Sequence, residues 1–181
     1  SAAHYGLALT LARNRDYKGA EAELQAARKG SVATPMFETL AADLKLKQGD
    51  TAGAVTILKA TNAKYPASRA AVYALLDILV NDNKPREALD IATRELKSYP
   101  KDPKLHQVAA RSHAALGHNL EQHRAQAEAY ANYGQTTAAI EQLMIAQKAP
   151  DGDFYDHSRV DARLRELRQI EADKAREQGR E

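Results

Sequence analysis

The chain has no cysteine and no tryptophan among its 181 residues. Without cysteine there is no disulfide framework and no thiol chemistry, and the absence suits cytoplasm and periplasm equally, so it leaves the compartment open. Apolar runs of roughly 18 residues or more are missing, and so is the charged-then-apolar pattern of a secretory signal, so the chain as given is expected to be soluble, with no direct membrane insertion. Charge of one sign is missing as well. A net charge of +2 with both signs interspersed offers neither a basic footprint for nucleic acid nor an acidic tail. Period-two alternation never lasts beyond a few residues and β-branched residues are sparse, which removes support for strands. Intrinsic catalysis lacks its usual signs: Ser31, Ser68, Ser98, Ser112 and Ser158 stand in no nucleophile-elbow context, and no glycine-rich phosphate loop follows a strand.

What remains is an Ala- and Leu-rich composition, 44% apolar with only 6% aromatic, which favours close-packed helices. A shift of 34 residues superposes Ala20, Ala54 and Ala88, and also Tyr65-Pro66 with Tyr99-Pro100. That period signals tetratricopeptide repeats. In each unit a first helix is followed by a turn, at Arg15-Asp16, Gly49-Asp50 or Asn81-Asp82-Asn83, and then by a second helix whose small alanine lets the pair approach closely. The apolar spacing runs through Leu7, Leu11, Leu24 and Ala27, then Leu40, Leu44, Ile57 and Leu58, then Leu75, Leu79, Leu89 and Leu96. Prolines punctuate at Pro35, Pro66, Pro100 and Pro103, with Thr34 and Asp102 as N-caps and Pro85 in a first helical turn.

The expected fold is therefore all-α: a right-handed tetratricopeptide-repeat α-solenoid over 1–150, with hairpins near 2–30, 35–65, 68–99, 103–133 and 120–149. Gly117 and Gly134 lie half a repeat apart, so the helix over 120–133 closes one hairpin and opens the next. Pro150-Asp151-Gly152-Asp153 ends the array. A capping helix over 154–172 follows, its stripe of Val160, Leu164, Leu167 and Ile170 sealing the stack. Residues 173–181 carry many charges and only alanine as an apolar residue, which predicts a disordered tail. The start on Ser1-Ala2-Ala3, almost at once inside a helical pattern, reads as a piece of something longer.

Six histidines raise a metal hypothesis, centred on His113, His118 and His123. Ligand pairs on a helix need a spacing of three or four to share a face, and a spacing of five splits them. No histidine begins a His-Glu-x-x-His motif. The reading is no metal and no catalytic site in this chain.

Stacked hairpins generate an inner groove lined by the first helix of each unit. Its positions are Tyr5, Leu9 and Arg13, then Met36, Thr39, Asp43 and Lys47, then Tyr73, Asp77 and Asn81, and finally Gln107, Arg111, Arg124 and Glu128. Aromatic and apolar anchors among mixed charges suit an extended peptide or a protein loop. Tyr5 and Tyr73 equally suit packing between helices. On the last helix Asp161 and Arg165 are spaced for pairing, and Arg159, Arg163 and Arg168 offer either a solvated face or contacts to an adjoining domain or acidic partner.

The C-terminal block adds a family resemblance. Tyr130-Ala131-Asn132-Tyr133-Gly134, Ala138-Ala139-Ile140-Glu141-Gln142-Leu143, Asp153-Phe154-Tyr155 and the run from Ser158 to Leu167 together resemble the C-terminal repeat region of bacterial periplasmic zinc metallopeptidases related to the beta-barrel assembly-enhancing protease. The resemblance covers Ser1 to Ile170 and is most specific over Ser158 to Leu167. It implies a periplasmic arm that recruits outer-membrane assembly components or misassembled barrel proteins to its own peptidase domain. Zinc and the His-Glu-x-x-His helix would belong to that other domain, with no counterpart here. The competing reading is a standalone tetratricopeptide adaptor or assembly scaffold, of secretion or pilus machinery for example, with no protease.

Overall fold

The computed structural model describes residues 2–30, 32 and 34–178. Among these residues there are helices and turns and no strand: α1 (Ala2–Arg13), α2 (Tyr17–Lys29), α3 (Pro35–Lys47), α4 (Thr51–Lys64), α5 (Arg69–Asn81), α6 (Pro85–Ser98), α7 (Pro103–Leu116), α8 (Asn119–Asn132), α9 (Thr136–Gln147) and α10 (Phe154–Gln178). Two compact units divide the chain, Ser1–Asp82 with α1 to α5 and Asn83–Glu181 with α6 to α10. The hairpin expected over 68–99 is thus shared out, α5 to the first unit and α6 to the second. Ser31 and positions 179–181 lie outside the described residues.

One turn chemistry recurs. At the end of α1, Asp16 N–H bonds to Leu11 C=O at 2.9 Å and Arg15 N–H to Ala12 C=O at 3.1 Å. The same six-to-one and five-to-two pair closes α3 through Asp50 and Gly49, α7 through His118 and Gly117, and α8 through Gln135 and Gly134. This motif consumes carbonyls that a helix end leaves orphaned and needs a left-handed residue one place past the cap. The next helix then starts at once. Asp16 and Asp50 cap α2 and α4, accepting from Gly19 N–H at 2.9 Å and Gly53 N–H at 2.8 Å. A Cβ on either glycine would lie 2.3 Å from the capping carboxylate, so the missing side chain is what permits so close a cap. Asp102 caps α7 through Lys104 and Leu105 N–H, whereas Thr34 stands before α3 with no side-chain cap bond.

In the first unit α1 packs on α2 and α3, α3 on α4 and α5, with a core of Ala8, Ala12, Ala20, Leu24, Ala27, Phe37, Leu40 and Leu44. Ala20 and Ala54 are fully buried, as their close-approach role requires. Leu7 departs from the sequence reading: it is 46% exposed, and Ala8 beside it takes the core position. In the second unit successive helices pack pairwise from α6 to α10, and Leu120, Ala127, Ile140, Leu143, Val160, Leu164 and Leu167 form one core. The sealing stripe of α10 therefore ends at Leu167, because Ile170 is 38% exposed.

The expected tail is corrected too. Residues 173–178 continue α10 as helix. Glu171 accepts from the Thr137 hydroxyl at 2.6 Å and Lys174 Nζ meets the Thr136 hydroxyl at 3.1 Å, so this end of α10 is hydrogen-bonded to the start of α9. Glu, Ala, Lys, Arg and Gln are strong helix formers, and propensity carries the helix past its last apolar residue.

Candidate functional site

In the first unit, Leu9 and Arg13 of α1 and Asp43 and Lys47 of α3 line a single cavity of about 450 Å³ together with Ala12, Arg15, Tyr17 and Leu40. Four of the predicted groove positions thus converge, because one helix turn separates 9 from 13 and 43 from 47 and the two first helices lie side by side. Ala12 and Leu40 are buried and form an apolar floor, while Arg13, Arg15 and Lys47 are exposed at its rim. Asp43 faces Lys47 at 3.8 Å. Arg13 and Arg15 make no ion pair or side-chain hydrogen bond among the described residues.

The neighbouring predicted positions behave differently. Tyr5, half-buried, packs on Phe37 with ring centroids 5.6 Å apart and so lies against the core of the unit, and burial raises its pKa. Met36 is half exposed and Thr39 spends its hydroxyl on Met36 C=O at 3.0 Å. On α5, Tyr73 lies under the Arg69 guanidinium at 4.9 Å, with Asp77 and Asn81 further along the same helix. A second cavity of this unit, about 560 Å³ between α2, α3 and α4, holds the Arg28–Glu38 ion pair at 2.7 Å and none of the predicted positions.

In the second unit Gln107 and Arg111 lie on α7, whereas on α8 Arg124 pairs within its own helix and Glu128 holds α10. Arg163 donates Nε and Nη2 to the two oxygens of Glu128, both at 2.8 Å, and Nη1 to Glu166 at 2.8 Å. Burial alone would lower the Arg163 pKa, yet these two carboxylates raise it. Glu121 holds Arg124 and lies 3.6 Å from Arg159, which also pairs with Asp156. The arginines offered for interdomain contact therefore divide: Arg159 and Arg163 clamp their own unit, and Arg168 is exposed with no partner among the described residues. Asp161 and Arg165 do not form the expected ion pair. Asp161 Oδ1 accepts from Gln147 at 2.7 Å, and Arg165 turns back to the Asp161 carbonyl.

With that geometry in view, similarity to known proteins is informative. A tetratricopeptide-repeat family model matches residues 45–112. The chain has the tetratricopeptide-repeat fold. A thermophilic tetratricopeptide-repeat protein from Thermus thermophilus superposes with a TM-score of 0.53 at 20% identity, covering 90% of this chain and 98% of that one, a likeness of fold alone. The beta-barrel assembly-enhancing protease of Yersinia pestis is 28% identical over 169 residues, 93% of this chain, and that of Escherichia coli is 28% identical over 171 residues, 94% of this chain. The chain spans 35% of the length of either relative. Over nearly its whole length, then, this tetratricopeptide-repeat chain is related to part of those proteases.

Several structural details are not visible in the sequence. His113 and His118 do meet: their Nδ1 atoms are 3.2 Å apart. The spacing rule assumed one continuous helix, whereas α7 ends at Leu116 and left-handed Gly117 turns the chain back. His123 bonds instead to Gln142 at 2.8 Å. Among the described residues no three or more His, Asp or Glu side chains come together to hold a metal ion, and no helix is long and apolar enough to cross a membrane. The segment after α9 does more than end the array. Asp151 Oδ1 caps α8 through Leu120 N–H at 3.0 Å, and Asp153 and Asp156 exchange reciprocal cap bonds of 2.9 and 3.1 Å at the start of α10. The run Asp-x-x-Asp was the available signal for that box.

Proposed function

We propose that this chain is the non-catalytic, partner-recruiting repeat arm of a periplasmic zinc-dependent metalloendopeptidase that acts in outer-membrane protein assembly and quality control. Tetratricopeptide repeats bind proteins, and the relatives that match nearly the whole chain are named as beta-barrel assembly-enhancing proteases. The observation that carries the reading is that this match covers almost all of the chain but 35% of the relatives, which places the shared part beside a larger remainder in those proteins. In the proposal that remainder supplies the zinc site and the cleavage, and this chain supplies the grip on assembly components or misassembled barrel proteins. The α1–α3 groove is the surface assigned to that grip, because it joins an apolar floor to unspent charge.

The test is retention of outer-membrane barrel precursors from a periplasmic extract by the immobilised chain, beside an Arg13→Glu, Lys47→Glu form. Both changed residues are exposed, so the fold is kept. Precursors held by the parent and released by the variant support the reading. Equal retention by both removes the groove assignment, and no retention by either turns the reading toward a standalone adaptor.

A further inference from the structure

Among the described residues six turns place a residue in the left-handed region two places before the next helix: Arg15 (φ 64°), Gly49 (84°), Asn83 (53°), Gly117 (75°), Gly134 (78°) and Gly152 (93°). They are the same structural position, the first four spaced 34 residues apart. Glycine takes this conformation freely and asparagine tolerates it, but an arginine there shifts the folding equilibrium unfavourably by about fivefold to thirtyfold. Five of the six turns carry the relaxed choice, glycine or asparagine. The exception carries its long cation to the rim of the α1–α3 groove, where Arg15 lines the cavity with Arg13 and Lys47 above the floor of Ala12 and Leu40.

We infer that Arg15 is a specificity residue of this groove: its guanidinium, with that of Arg13, receives a carboxylate on an extended segment of a partner protein whose neighbouring apolar side chain rests on the floor. This deepens the groove assignment made above and rests on it. Charge complementarity selects the occupant. Three cations, Arg13, Arg15 and Lys47, face one acid, Asp43, which stands 3.8 Å from Lys47 and leaves the two arginines unspent. A guanidinium fork suits a planar carboxylate, and two forks at an apolar floor discriminate an acidic from an isosteric neutral side chain. Strain kept at a binding loop is a known use of sparsely populated backbone.

The experiment titrates the full chain into a labelled peptide of alternating leucine and glutamate, and into its glutamine counterpart, by fluorescence anisotropy. The glutamate peptide is expected to bind about tenfold more tightly, a gap that closes as salt rises. Arg15→Gly and Arg15→Asn should each remove most of that preference and leave the glutamine peptide unchanged within about twofold. Urea unfolding should find Arg15→Gly no less stable than the parent, the folding equilibrium moving by a factor of about three in its favour. Equal binding of the two peptides by the parent, or an Arg15→Gly form that keeps the preference, overturns the inference. A less stable Arg15→Gly chain overturns the argument from strain. The titration involves no barrel precursor, so its result is independent of whether the recruitment reading holds.

Discussion

At the scale of single residues, His113 at the α7–α8 turn makes stability depend on pH. Burial is the largest influence on His113 and lowers its pKa; Glu121 opposes this, and His118 and Arg124 add to it. The unfolded chain therefore takes up the His113 proton first. The contribution is whole above the ordinary histidine value of about 6.5 and is lost as pH falls below it. The urea midpoint should drop between pH 7.5 and pH 5, and His113→Gln should show a smaller drop; identical pH dependence in both forms would disprove the link. Gly152 is a second sensitive point. Its φ is 93°, and a Cβ there would lie 2.6 Å from Cδ1 of buried Leu120, the residue whose N–H Asp151 caps. Gly152→Ala should cost about 2 kcal/mol in urea unfolding, combining backbone strain with overpacking. Neither effect was legible in the sequence. The histidines were separated by a rule for continuous helices, and nothing in Pro150-Asp151-Gly152-Asp153 says which helix end, 31 residues back, it will cap.

At the scale of elements, α10 is held by apolar and ionic contacts of different legibility. Val160, Leu164 and Leu167 could be read from their three- and four-residue spacing, and all three are buried. The Glu128–Arg163 fork could not, because each side chain looked like surface on its own helix and the partners are 35 residues apart. Its side chains are 28% and 26% exposed, against 74% and 52% for the Arg176–Asp173 pair. Arg163→Met should therefore destabilise the chain by about 1–2 kcal/mol, and Arg176→Met by less than about 0.5 kcal/mol. A double cycle with Glu128→Gln should return a coupling of about 1 kcal/mol, and a coupling near zero would remove the clamp from the account. Helix starts were the most readable feature because proline and aspartate act locally. The end of α10 does not show in an apolar stripe, because helix propensity and side-chain bonds to Thr136 and Thr137 extend the helix past its last apolar contact.

At the scale of the whole molecule, the repeat period carried the fold, since a spacing of 34 with small residues at the close-approach positions admits few architectures. Of the candidate site, repeat positions place Leu9, Arg13, Asp43 and Lys47 on one cavity, whereas Arg15 reads only as turn, and Arg124 and Glu128, groove positions by register, pair with Glu121 and Arg163. Repeat positions say which face a side chain occupies. They do not say which charges that face will spend on its own neighbours. The proposed grip of the α1–α3 groove on a protein partner in outer-membrane assembly is tested by site-specific photo-crosslinking in the periplasm. A crosslinking side chain at the Asp43 position, inside the groove, should capture barrel precursors or assembly components, and one at exposed Ala52 on α4 should not. Capture at both positions, or at Ala52 alone, would contradict the account.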